Sequence, residues 1–482
     1  MKALFFYLLL FLSNVVAAQY SFERSYQFFS TYKQNSNGII EDGLGGFYIT
    51  STCIENNYTN ATVSHLNELG DTLWNTSKKV PNLINDPTYC SAIIRSYDGN
   101  ILVHGNMGDT NSIYDGGHWL MKIDTAGNII WFKTNFNTAI DFHSGGDVDY
   151  LYEFNNSKIL VYITNGFFAL FDSSGTFISA KNPPIKNLSI GKRHQKIKKE
   201  GSCFIFHGKK VYTNYNENTF FKVSFMGDTL SSLVTDEDSI YDGGIEFSKL
   251  NNNWFYIVGR QNSYSSFTQS GDIITKLDSS GNILWRKKYR NNFPHGLAFT
   301  SIKETPDTGL IIAGFKPVSS TLYKPYLFKV NSNGDSLWFK EFGSGSNISL
   351  FYDLINTSDG GYAIVGETTP NGSPYSYSYI VKTDANGDLL NVADELLKKE
   401  KNYLHLYPNP ANTYTNIHYI GTIKNVVLKI TNLQGQVIYT EYITSNEQRI
   451  SINTTNYKPG IYFCSVLSNG KNLQSQKLVV MH

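Results

Sequence analysis

Short apolar runs alternate with polar, glycine-bearing turns along most of the chain. Leu310 to Ala313 is apolar at every position, the mark of a strand buried on both faces. Downstream, Phe328-Lys-Val-Asn-Ser-Asn-Gly334-Asp-Ser-Leu-Trp338 reads as a hairpin. An Asn or Asp opens its loop, Gly takes the left-handed conformation, and an apolar strand with Trp returns.

This hairpin recurs. Close copies are Met121-Lys-Ile-Asp-Thr-Ala-Gly127-Asn-Ile-Ile-Trp131 and Thr275-Lys-Leu-Asp-Ser-Ser-Gly281-Asn-Ile-Leu-Trp285. Weaker copies turn at Gly70, Gly175, Gly227 and Gly387. Successive turn glycines lie 57, 48, 52, 54, 53 and 53 residues apart, so the period is steady. Four of the six tryptophans, Trp74, Trp131, Trp285 and Trp338, share one repeat position, which chance rarely arranges. A second motif precedes the hairpin, as in Asp98-Gly-Asn-Ile-Leu-Val-His-Gly105, Asp307-Thr-Gly-Leu-Ile-Ile-Ala-Gly314 and Asp359-Gly-Gly-Tyr-Ala-Ile-Val-Gly366.

Each period holds about four short strands and no helix. One such sheet cannot bury both of its faces, whereas sheets stacked radially can. The expectation is an all-β chain with a seven-bladed β-propeller over residues 19–391. The seventh copy ends at Leu389-Leu390-Asn391, without the aromatic continuation of the others. Phe22-Glu-Arg-Ser-Tyr26 matches the missing piece and is expected to supply the outer strand of the last blade.

Residues 392–403 break the pattern. Asp394-Glu-Leu-Leu-Lys-Lys-Glu-Lys401 is charged and reads as a solvated linker. Residues 404–482 then show short alternating strands. Val426-Val-Leu-Lys-Ile-Thr431 meets Gln436-Val-Ile-Tyr439 across Asn432-Leu-Gln-Gly435, and Lys458-Pro-Gly460 leads into Ile461-Tyr-Phe-Cys-Ser-Val466. The expectation is a small immunoglobulin-like β-sandwich.

Four motifs stand in order: Tyr407-Pro408-Asn409-Pro410, Asn432-Leu-Gln-Gly435-Gln-Val, Tyr457-Lys-Pro-Gly460-Ile-Tyr462 and Lys477-Leu-Val-Val. Together they resemble the type A C-terminal sorting domain of the type IX secretion system of Bacteroidota. Tyr457 stands where the family usually has Leu. The resemblance implies an address read by the outer-membrane translocon, which is the implied partner. It implies removal of the address afterwards, with release of the cargo or its attachment to lipopolysaccharide. The repeats resemble the uncharacterised propellers often joined to such tails, which implies architecture only.

The other end of the chain fits export. Lys2 is followed by the apolar run Ala3 to Leu12 and the small residues Val16, Ala17 and Ala18. This is the order of a signal peptide over residues 1–18, cleaved between Ala18 and Gln19, and the run is too short to span a bilayer. The expected location is secreted or attached to the outer membrane surface, reached through the periplasm, with no transmembrane segment.

Composition narrows the function. Aromatics reach 15% and charged residues only 17%, against about 25% in a typical protein. Disorder and helical bundles are thereby excluded. A formal net charge of +1 gives no global attraction to nucleic acid. Cys53, Cys90, Cys203 and Cys464 are scattered, without the pairs of a zinc or redox motif, and read as buried thiols, with Cys53–Cys90 the one pairing to test.

Catalytic motifs are missing. No His-Glu-x-x-His, Gly-x-Ser-x-Gly or phosphate-binding loop occurs, so no catalytic, cofactor or metal residues are assigned. Asp384 to Asp388, with Glu395 at the twelfth position, resembles a calcium loop but is equally a hairpin turn. The Gly-to-Trp segment resembles repeats of quinoprotein dehydrogenases and sialidases, without their blade number, vicinal disulfide or spacing. Between Lys181 and Lys210 the only acid is Glu200. Lys192, Arg193, Lys196, Lys198 and Lys199 there form either a solvated loop or an anion-binding patch. Tyr375, Tyr377 and Tyr379 either stack on sugars or mark strand alternation.

The expected function is a non-catalytic module that binds a glycan or a surface protein. The alternative is a polysaccharide-active hydrolase or lyase with acidic residues in the propeller channel.

Overall fold

The computed structural model describes residues 20–28, 33–55, 58–80, 89–107, 117–134, 148–154, 158–163, 167–181, 188–189, 198–200, 203–211, 216–224, 229–234, 242–249, 255–261, 271–278, 282–289, 298–319, 322–343, 348–370, 372–373, 375–389, 402–407, 409–421, 426–445, 447–468 and 470–481. Among these residues every helix or strand element is a strand. The linker core, the signal segment with Ala18 and Gln19, and Glu395 lie outside the description.

Seven antiparallel sheets occupy the described residues before the tail. In chain order they span residues 33–80, 89–134, 148–181, 188–234, 242–289, 298–341 and 348–383, and are numbered sheets 1 to 7 here. Most are four-stranded meanders running from an inner to an outer strand. In sheet 4 two short strands, Leu188–Ser189 and Lys198–Glu200, share the inner position against Cys203–Val211. Sheet 7 has three consecutive strands, and its fourth is Phe22–Tyr26, antiparallel to Tyr377–Thr383. The N-terminal segment therefore closes the last sheet, as its sequence anticipates.

Most consecutive sheets touch through their inner strands, sheets 3 and 4 meet through the rings of Tyr150, Tyr152 and Phe204, and sheet 7 touches sheet 1, so the series closes on itself. Apolar side chains fill the gaps. Leu102 and Leu120 of sheet 2 meet Leu151, Ile159 and Val161 of sheet 3. Ile39, Phe47 and Ile49 of sheet 1 meet Ala363, Val365 and Ile380 of sheet 7. Farther along that seam the contact turns polar: Ser51 Oγ lies 2.8 Å from Ser36 Oγ and accepts from Ser378 Oγ at 3.3 Å.

The repeat signature explains the joints. Each Trp stands on an outer strand and lies against the turn glycine of the next sheet. A β-carbon at Gly127 would sit 2.8 Å from Trp74, one at Gly175 2.7 Å from Trp131, and one at Gly334 2.6 Å from Trp285. These glycines have φ of +90°, +75° and +76°, so both the backbone and the ring demand glycine. The indole N–H of Trp74 donates to Thr125 O, and that of Trp285 to Ser332 O. Two residues on, Lys287 reaches Asp335 and Lys340 reaches Asp388.

The N-terminal strand repeats these contacts with different residues. Phe22 lies against Gly70, Arg24 pairs with Asp71 at 2.8 Å, and the Tyr26 hydroxyl donates to Gly70 O at 2.6 Å. Phe22 thus stands for the tryptophan of sheet 7.

The tail forms two sheets around one core. Asn402–Tyr407, Tyr414–Gly421 and Glu447–Asn453 make one sheet, and Val437–Ile443, Val426–Asn432, Gly460–Ser468 and Lys471–Val480 the other. Leu404, Ile417 and Tyr419 of the first face Leu428, Ile430, Cys464, Val466 and Leu478 of the second. All four cysteines of the chain are buried thiols, so Cys53 and Cys90 form no disulfide.

Candidate functional site: the axis and the tail

The inner strands of neighbouring sheets meet across most of the joints. Six of them carry a β-bulge at one repeat position, holding Asn37, Ser91, Asp149, Ile245, Thr300 and Tyr352. A bulge inserts an extra residue and bends the strand. Asn37 donates to Cys90 O of the next sheet at 3.1 Å. Thr300 donates to Ala313 O, and the Tyr352 hydroxyl to Glu367 at 2.6 Å.

The end of the inner strand hooks the preceding sheet. Glu153 accepts from Ser96 Oγ and the Tyr97 N–H at 2.7 and 2.6 Å. Glu41 accepts from Ser358, and Arg95 reaches Asp42 O. These described carboxylates serve contacts between sheets.

A second charged device lies within the sheets. Lys122, Lys329 and Lys382 sit on third strands and pair with Asp98, Asp307 and Asp359 of the preceding turns at 2.7, 2.7 and 2.9 Å. In sheet 1, His65 and Asp42 take the two places, 2.9 Å apart. Burial works against the Asp98 carboxylate, but hydrogen bonds from Lys122 and Ser96 outweigh it and hold the pKa down at about 2. Burial lowers the pKa of Lys329 and Lys382, and the aspartates pull it part of the way back. Sequence reasoning missed these pairs, although a Lys stands two residues before the turn Asp or Asn in four copies, at Lys122, Lys276, Lys329 and Lys382.

The Asp384 string is a turn. Asp384 Oδ1 accepts the N–H groups of Asn386 and Asp388 at 2.9 and 2.7 Å. Asp124, Asp172 and Asn331 make the same pair of bonds in their copies. Tyr379 is no exposed platform: it is buried, and its hydroxyl donates to Glu23. Of the basic residues, Lys198 and Lys199 lie on the strand Lys198–Glu200, paired with Ile205 and Phe204. Lys192, Arg193 and Lys196 lie outside the described residues.

In the tail the separate motifs converge. Asn409 Nδ2 donates to Lys477 O at 2.6 Å, and its Oδ1 accepts the Val479 N–H at 2.8 Å. The Asn409–Pro410 bond is cis. Ala411 donates to Val479 O and accepts from the Met481 N–H. Gly460 is in register with Val480, and Tyr462 with both Leu478 and Asn432. Gly435, at φ +79°, completes the turn capped by Asn432 Oδ1, which accepts from Gln434 and Gln436. The Tyr462 hydroxyl donates to Lys458 O, and its ring lies 5.3 Å from that of Tyr457. The motifs thus gather at one end of the two sheets. Pro408 lies outside the described residues.

Residues 405–481 match the family described as the secretion system C-terminal sorting domain. The tail is a type IX secretion sorting domain. Such a tail implies export to the cell surface or the medium. No curated protein matches the chain. Among solved structures, PorZ, a surface component of the type IX secretion system of Porphyromonas gingivalis, aligns at 10% identity and a TM-score of 0.38, over 91% of this chain and 68% of that one. The Dos1 propeller aligns at 12% identity and a TM-score of 0.43, over 75% and 95%. YCF48 bound to a D1 peptide aligns at 11% and 0.45, over 76% and 98%. No helix among the described residues is long and apolar enough to cross a membrane.

Proposed function

We propose that this chain is a seven-bladed β-propeller carried outside the cell by an immunoglobulin-like sorting tail, where the ring binds a glycan or a surface protein without catalysis. Residues 1–18 act as the signal peptide and deliver the chain to the periplasm. The type IX translocon then reads the tail. The sorting match over residues 405–481 carries the export reading. The propeller reading is supported by the closed order of seven repeated sheets and by the N-terminal strand that completes the last.

The binding reading is supported by the inner strands. Four of the six equivalent bulges hold the neutral polar residues Asn37, Ser91, Thr300 and Tyr352, and the other two hold Asp149 and Ile245. A rigid ring with variable loops suits recognition.

Truncation after Lys401 in a host with the type IX system tests export. The shortened chain is expected in the periplasm, and its normal appearance outside the cell would refute the address. Polysaccharide and surface-protein arrays probed with the purified ring test the second part. Retention without product supports binding, whereas released oligosaccharide would establish the enzyme alternative.

A further inference from the structure

We propose that His104 and His118 form a two-imidazole site for copper(I) between sheets 2 and 3. His104 lies on Ile101–Met107 and His118 on Gly117–Ile123. Their strands pair with His104 opposite Leu120 and Asn106 opposite His118. The two histidines are therefore diagonal neighbours on one face of the sheet. Their ring centroids are 5.4 Å apart, with the planes inclined by 33°.

One observation points to a ligand. His104 is fully buried, and neither of its ring nitrogens has a hydrogen-bond partner. An unmet buried polar group costs about 1–3 kcal/mol, and in native proteins it usually answers to a water, an ion or a chemical role. The neutral imidazole is the form that binds metals.

Charge selects the ion. By strand alternation both rings share the face of Leu102 and Leu120, which is packed against Leu151 of sheet 3. Among the described residues no third histidine, cysteine or carboxylate joins them in a metal-binding cluster. The cost of burying an ion rises with the square of its charge. Two neutral ligands beside Leu102, Leu120 and Leu151 therefore favour a monovalent ion over a divalent one. Copper(I) accepts imidazole ligands, and its filled d shell tolerates low coordination numbers. Metal–nitrogen bonds of about 2.0 Å suit rings at this separation.

The test uses the full chain. Anaerobic titration with copper(I) against bicinchoninate is expected to show one bound equivalent, lost in both His104→Gln and His118→Gln. X-ray absorption of the one-to-one complex is expected to show nitrogen neighbours at about 2.0 Å and no sulfur. Silver(I), a redox-inert stand-in, should raise the Tm of the native chain and leave that of His118→Gln unmoved. Thiols also bind copper(I), so Cys53→Ala/Cys90→Ala must retain the equivalent. A sulfur shell, an equivalent that follows the cysteines, or no binding at all would overturn the proposal. If a histidine variant does not fold, absorption on the native chain still decides.

Discussion

Trp338 of sheet 6 lies so close over Gly387 of sheet 7 that a β-carbon there would stand 2.6 Å from its Cη2. Gly387 also holds φ at +75°. Gly387→Ala therefore meets two penalties. The left-handed backbone costs about 1–2 kcal/mol, and displacing a packed ring adds about 1–3 kcal/mol. Gly360 has φ +87° but nothing within 4 Å, so Gly360→Ala should show the backbone penalty alone. Urea melts of the two variants should differ by about 1–3 kcal/mol. Equal losses would show that the tryptophan contact contributes nothing.

The first strand should matter far beyond its length. Phe22 is 8% exposed and packs with Phe47 of sheet 1. Phe22→Ala is expected to cost about 3–5 kcal/mol. Deletion of residues 19–29 should lower the Tm sharply, as read by circular dichroism. An unchanged Tm would separate ring stability from the N-terminal strand.

The pair Lys382–Asp359 is nearly dry, with side chains 3% and 18% exposed. Lys382→Ala leaves a half-buried carboxylate uncompensated and is expected to cost up to about 3 kcal/mol. Lys382→Met with Asp359→Leu should recover much of that loss. A double variant as weak as the single one would argue against this pairing.

Acid should loosen the same joints. Burial raises the pKa of Asp98, Asp307 and Asp359, but hydrogen bonds, from their lysine partners among others, outweigh it, so each folded pKa lies below the usual 3.8. Their contribution to stability is complete above the unfolded value and fades as protons bind the folded form. The loss should set in near pH 4 and continue towards pH 2, the Asp98 value. Denaturation midpoints across this window test it. Asp98→Asn, Asp307→Asn and Asp359→Asn combined should flatten the profile.

The thiols should be silent. Burial raises the pKa of Cys90 and Cys464 to about 12. The thiolate is the nucleophile, so a disulfide reagent at pH 8 should label neither in the native chain. Both should react in guanidinium. Rapid native labelling would contradict their burial.

Much of this was legible beforehand. The period of the turn glycines announced the sheets, and Phe22 to Tyr26 announced the closing strand. The Trp contact was not legible, because its partner is a glycine about one repeat away in the next sheet. The lysines stand in the repeated segments, but their aspartate partners lie one turn earlier, more than 20 residues away. Only pairing of strands shows that Lys382 turns back onto Asp359. His104 and His118 appeared as single histidines, since antiparallel register makes them neighbours. In the tail, Asn409 and Lys477 were separate motif fragments until the last strand returned beside the first turn.

The borrowed strand of sheet 7 has a consequence for delivery. A chain that ends before Tyr377 lacks the strand that pairs with Phe22–Tyr26 and leaves sheet 7 incomplete. Incomplete products advertise themselves through an unpaired strand, an adhesive feature that proteases and chaperones can detect. Completeness is checked by the fold itself, because the earliest and latest parts of the ring must meet before either is secure.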